Sequence, residues 1–63
     1  MIVFRIMCRI VNTDESYDVY ADNTLYLTHD EAETQRLHYI KKSKHKQDKY
    51  YIISEEKHYE KNN

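Results

Sequence analysis

Thr28-His29-Asp30-Glu31-Ala32-Glu33-Thr34-Gln35-Arg36-Leu37-His38-Tyr39-Ile40-Lys41-Lys42 decides the fold, because its two ends and its apolar face all read as one helix. Thr28 followed three residues later by Glu31 is the capping-box pattern, in which hydroxyl and carboxylate satisfy backbone N–H groups that a helix start leaves unpaired. Asp30, Glu31 and Glu33 fall near the positive end of the helix dipole, and Lys41, Lys42 and Lys44 near the negative end. At about 100° per residue, Tyr39, Ala32, Ile40 and Leu37 cover an arc of roughly 160°, wide enough to pack on a sheet. Arg36, Glu33 and His29 lie in or beside that arc, so their stems are expected along its edge with charged ends in water.

Ahead of the helix the period is two. Ile2, Phe4, Ile6, Cys8 and Ile10 alternate with Val3, Arg5, Met7, Arg9 and Val11, a strand with one wholly apolar face for the core and an opposite face carrying two arginines around a methionine. Asn12 to Ser16 is a cluster of turn formers, and the alternation Tyr17 to Ala21 returns as an antiparallel partner. Asp22-Asn23-Thr24 then turns the chain into Leu25-Tyr26-Leu27. A two-residue loop there would bury Asp18 without a partner, at several kcal/mol. A three-residue loop sets Leu25 and Leu27 opposite Ala21 and Val19 and leaves Tyr20 and Tyr26 together on the outer face.

After the helix, Lys41 to Lys49 lose the periodicity and read as a solvated connection, and Lys49 to Ser54 form a last strand. Either Tyr50 with Ile52 or Tyr51 with Ile53 can face its core. The order is β-β-β-α-β: an α+β fold with a small antiparallel sheet and one helix packed on one face. Its expected core is Phe4, Ile6, Ile10, Val19, Leu25, Leu27, Leu37 and Ile40. Residues 1–59 form one domain, with residues 60–63 as a disordered C-terminal tail.

A chain of 63 residues buries only about 60% of the surface it exposes unfolded, which leaves stability marginal. Cys8 is its single cysteine, so no disulfide can form within the chain, and a reducing, cytoplasmic compartment is expected. The thiol itself reads as a small buried group with nothing near it to lower its pKa. Met1 to Val11 is interrupted by Arg5 and Arg9, unlike a signal-peptide core or the run of about 20 apolar residues a membrane span needs.

Glycine and proline are both absent. Phosphate loops and dinucleotide fingerprints are therefore excluded, since each needs glycines that let backbone N–H groups approach phosphates. Net charge is −1 but divided: residues 1–40 hold three arginines against seven acids, and residues 41–63 hold seven lysines against four acids. The whole surface is thus unsuited to non-specific nucleic-acid binding, whereas a local lysine patch is not.

Four histidines, His29, His38, His45 and His58, raise the question of a metal, and His29 with Glu33 has the i, i+4 spacing of two ligands on one helical face. No HExxH or CxxC arrangement supplies further ligands, so no metal or other cofactor is expected. Neither is an enzyme: one helix on a small sheet offers little concavity in which to assemble a nucleophile, a base and an orienting group. The outer sheet face is the better clue. Arg5, Met7, Arg9, Tyr20 and Tyr26 are of the types enriched where proteins bind proteins, although tyrosine pairs and arginine stems also shield an exposed sheet. Lys41, Lys42, Lys44 and Lys46 are the candidates for nucleic-acid contact, in a patch extending to Lys49, and sequestration of a nucleotide-sized molecule is a third possibility. Strand edges without proline or glycine, on so small a chain, predict a homodimer.

Tyr17-Asp18-Val19-Tyr20, Leu25-Tyr26-Leu27-Thr28, Asp30-Glu31-Ala32-Glu33 and Lys49-Tyr50-Tyr51-Ile52-Ile53 together resemble the small β-β-α-β proteins common in phages and low-GC bacteria. Their glycine-bearing hairpin is replaced here by Asp22-Asn23-Thr24. Phage proteins of this build include anti-CRISPR and other anti-defence inhibitors, so the resemblance implies a non-enzymatic protein that binds a host defence protein stoichiometrically in the host cytoplasm.

Overall fold

The longest alternating stretch becomes the centre of the sheet. In a computed structural model, which describes residues 1–43 and 49–57, Ile2–Val11 is strand β1, Ser16–Tyr20 is β2, His29–Lys42 is helix α1 and Tyr50–Glu56 is β3. The strand order is β2-β1-β3, with both pairings antiparallel. β1 divides its length between its neighbours: Met7 to Val11 pair with β2, and Ile2 to Cys8 pair with β3. The turn between β1 and β2 closes with Asn12 N–H donating to Glu15 C=O at 2.8 Å. No described residue has positive φ, so a chain without glycine makes these bends entirely in ordinary backbone space.

The helix start is capped by Thr28 as the sequence predicts, but the Glu31 carboxylate pairs with the Thr28 hydroxyl rather than with a backbone N–H. Thr28 Oγ1 accepts from Glu31 N–H at 3.1 Å, and the Thr28 hydroxyl lies 3.1 Å from Glu31 Oε1. Ser43 N–H donates to Tyr39 C=O at the other end. α1 lies over β1 and β3, with the His29 ring edge-on to Phe4 and Tyr39 stacked on Tyr50. Paired residues share a face, so the inner face of β3 is Tyr50 and Ile52, beside Cys8 and Ile6, and Tyr51 and Ile53 lie outside.

Several expectations are corrected. The segment 25–27 is not a third strand paired on β2, and the order is β-β-α-β. Tyr26 instead bridges Phe4 of β1, exchanging N–H···O=C bonds of 2.7 and 2.9 Å. β2 is half as long as β1, so Phe4 would otherwise keep a bare N–H and C=O on that side. The bridge puts Tyr26 on the helix side, away from Tyr20.

The core is also smaller than expected. Val3, Ile6 and Ala32 are buried, Phe4, Ile10 and Ile40 are half-buried, and Val19, Leu25, Leu27 and Leu37 are exposed. Leu37 stands about 140° round the helix from Ala32, the residue that meets the sheet, and so falls off the packed arc. Cys8 is half-buried rather than enclosed. The expectations for Lys44 to Asp48, for the end of the domain at residues 58–59 and for a tail at residues 60–63 lie outside the described residues.

Candidate functional site

The alternation of β1 aims Arg5, Met7 and Arg9 away from the helix, and the registers on either side fill in the rest of that face. Met7 is opposite Tyr20 on β2 and Tyr51 on β3, so Tyr20–Met7–Tyr51 forms a row across the whole sheet. The rows flanking it hold the arginines, Arg9 opposite Asp18 and Arg5 opposite Ile53.

Both arginines are occupied. Arg9 Nε and Nη2 donate to the two oxygens of Asp18 at 3.0 and 3.4 Å, and the Tyr51 hydroxyl donates to Asp18 as well. The Arg9 bonds, reinforced by Tyr51, hold the Asp18 carboxyl below the usual range, and the same bond raises Tyr51. Arg5 Cζ stands over the Tyr20 ring, 3.8 Å from its centroid, and its Nη2 donates to the Asp22 carbonyl at 3.5 Å. Tyr20 in turn donates to Glu55 Oε2 at 2.6 Å, a bond that lowers Glu55 and raises Tyr20. Glu55 Oε1 stands 3.7 Å from Arg5 Nη1 and 3.8 Å from Lys57 Nζ, ion-pair rather than hydrogen-bond distances, and Arg5 Nε finds no acceptor. Arg5 is 9% exposed, so the residue expected to be offered to a partner is instead a strut beneath Tyr20.

No protein-family model, curated protein or solved structure matches the chain.

Four of the five residues expected at the partner-binding face, Arg5, Met7, Arg9 and Tyr20, come together there. Tyr26 does not. Its hydroxyl and that of Tyr39 both donate to Asp22 Oδ2, at 2.7 and 2.6 Å, while Thr24 N–H donates to Oδ1 at 3.1 Å. Burial followed by the Asp22 bond pushes the Tyr26 phenol up to about 12; burial also opposes the Asp22 charge, but the tyrosine bonds outweigh it and the carboxyl is lowered. Tyr51, Ile53 and Glu55 also belong to the face without a sequence signal that marks them for it, and Asp18 follows Tyr20 there by alternation without being one of the expected binding residues. Tyr51 and Ile53 were one half of an undecided pair, and only pairing with β1 places them outside.

Elsewhere, Glu33 is held by Arg36 through two bonds of 2.8 Å, which lower its carboxyl, and Arg36 Nη1 donates to Tyr50 C=O at 3.3 Å. Glu33 is therefore engaged by Arg36. Among the described residues no group of three or more His, Cys, Asp or Glu stands close enough to hold a metal ion. Lys41 and Lys42 are exposed at the end of α1, while Lys44 and Lys46 lie outside the described residues. A shallow depression of about 390 Å³ along Thr34, Gln35, Leu37, His38 and Lys41 is open to solvent. No helix among the described residues is long and apolar enough to cross a membrane.

Proposed function

We propose that this chain is a non-enzymatic protein-binding module that acts by stoichiometric occupation of a partner's surface with its outer sheet face. The observation that carries the reading is the row Tyr20–Met7–Tyr51, left uncovered by α1 and bracketed by two arginines already neutralised by Asp18 and Glu55. An aromatic and methionine centre with an ion-paired polar rim suits a protein partner. Phosphates would meet carboxylates on this face rather than free cations, which disfavours nucleic acid there. The resemblance to phage anti-defence proteins makes a host defence protein the target class, reached in the host cytoplasm.

The test is recovery of a partner from host lysate with and without nuclease, followed by native mass spectrometry of the complex. A one-to-one complex should survive nuclease, and Met7→Ala or Arg9→Ala should weaken it by roughly thirtyfold where the truncation strikes a hot spot, about 2 kcal/mol. Leu37→Ser, on the far side of the helix, should leave it unchanged. Wild-type affinity in both sheet variants would remove this face as the site. Loss of all recovery with nuclease would replace the reading with nucleic-acid binding through Lys41 and Lys42.

A further inference from the structure

We propose that the chain self-associates through the free edge of β2, with a second copy lying antiparallel and Val19 of each copy on the two-fold axis. This goes beyond the partner-binding reading and does not depend on it.

The hydrogen-bond parity of the ladder says which groups each edge offers. Met1 and Lys57 exchange bonds, as do Phe4 and Tyr26, and Ala21 N–H donates to Ile6 C=O. Odd residues of β1 therefore bond toward β3 and even residues toward β2. By alternation, the outward-pointing N–H and C=O groups are those of Ser16, Asp18 and Tyr20 on one edge and of Ile52, Ser54 and Glu56 on the other.

The two edges are not equivalent. At β3, α1 packs against the strand, Arg36 takes the Tyr50 carbonyl, and Glu55, Glu56 and Lys57 charge the end. Among the described residues β2 has none of these devices. All five of its residues are exposed, and its one charge, Asp18, is neutralised by Arg9. Because α1 sits over β1 and β3, the helix side of β2 is unroofed as well. On that side Tyr17 is 48% and Val19 39% exposed, and on the outer side Tyr20 is 47% exposed.

The register selects a second copy as the occupant. A two-fold axis at Asp18 would oppose two carboxylates, and one at Tyr20 would set Asp18 against Asp22. An axis at Tyr17 would press Asp14 and Glu15 of the turn onto the partner's Tyr20 and Val19. With the axis at Val19, Tyr17 faces Ala21 and Asp18 faces Tyr20, so no like charges meet. Ala21 is still on the ladder to Ile6, so residues 17–21 overlap in full. Within that overlap the outward-pointing backbone groups belong to Asp18 and Tyr20, and each finds its partner in the other. The joined sheet would carry the Tyr20–Met7–Tyr51 rows of both copies on one continuous face.

Analytical ultracentrifugation across the micromolar range, with hydrogen exchange read by NMR at two concentrations, tests this. The wild type should approach twice 7.8 kDa, and the Asp18 and Tyr20 amides should gain protection as concentration rises. Val19→Lys sets two ammonium groups face to face and should weaken association by about tenfold or more. Ser54→Lys, on the other edge, should leave it unchanged. A monomer at every concentration, unaltered dimerisation of Val19→Lys, or concentration-dependent protection on Ile52 and Ser54 instead would each overturn the proposal. The exchange measurement uses the wild type and so decides even if Val19→Lys fails to fold.

Discussion

The hydroxyl of Tyr39, from the helix, stands 2.6 Å from the Asp22 carboxylate, in the loop after β2. The same oxygen takes the Tyr26 hydroxyl, so one carboxylate ties α1, the loop and the Phe4–Tyr26 bridge together. Tyr39→Phe removes a single charge-assisted hydrogen bond and is expected to cost about 1.5 kcal/mol. Asp22→Ala leaves two phenols without their acceptor and should cost more, about 2 to 3 kcal/mol. Urea unfolding followed by circular dichroism measures both, and an Asp22→Ala loss no larger than that of Tyr39→Phe would show the carboxylate is not shared.

Stability should fall on both sides of a neutral plateau. Asp18, Asp22, Glu33 and Glu55 have folded pKa values below the ordinary carboxylate values of 3.8 and 4.5, so the folded chain binds fewer protons than the unfolded one through that range. Their contribution is present above the ordinary values and is lost as pH drops through the folded ones. Tyr20, Tyr26, Tyr39, Tyr50 and Tyr51 are raised above 10.0, so theirs is complete below pH 10 and lost as pH climbs through the folded values, about 12 for Tyr26. Urea midpoints measured from pH 2 to pH 12 should trace a dome, and a midpoint that rises on acidification below pH 4 would contradict the ion pairs. Phenolate absorbance should show part of the tyrosines titrating late.

Arg5 tests whether a buried guanidinium stabilises by its charge or by its stem. Arg5→Ala strips the apolar stem from beneath Tyr20 and should cost about 2 kcal/mol, or roughly 8 to 16 °C in a domain this small. Arg5→Met keeps the stem and discards an Nε that has no acceptor, but it also gives up the Nη2 bond to the Asp22 carbonyl and the ion pair with Glu55, so it should cost about 1 kcal/mol, less than Arg5→Ala. A loss in Arg5→Met equal to that in Arg5→Ala, seen in thermal melts, would assign the effect to the charge.

The cap should be worth a typical amount. Thr28→Ala leaves the Glu31 N–H unpaired and is expected to cost about 1 kcal/mol, with Thr28→Ser recovering most of it. Helicity at 222 nm and the thermal midpoint report both variants.

Local and periodic features were legible. The α+β class, the side of β1 that meets the helix, the start and end of α1 and the position of Asp18 beside Tyr20 outside follow from side-chain period and capping chemistry, which act over a few residues, whereas the burial of Val3 and Arg5 on the other side of β1 does not. The outer face could be read from Arg5, Met7 and Arg9 because alternate residues of a strand must share a face. Its other half was not legible, since Tyr51 and Ile53 are as apolar as Tyr50 and Ile52 and only pairing with β1 distinguishes them.

By itself, then, the sequence determined the strands Ile2–Val11, Ser16–Tyr20 and Tyr50–Glu56 and the helix His29–Lys42, because period, caps and turn formers are written within each segment, but it also read 25–27 as a strand that does not form. Only the tertiary structure decided where Leu25-Tyr26-Leu27 goes. Hydrophobicity favoured burying Leu25 and Leu27, but the bare backbone of Phe4 and the Asp22 carboxylate favoured Tyr26, and unsatisfied hydrogen-bonding groups distant in sequence outweighed the local pattern. The same reason explains Arg5, which reads as an exposed binding residue until Tyr20 and Glu55, 15 and 50 positions on, close over it.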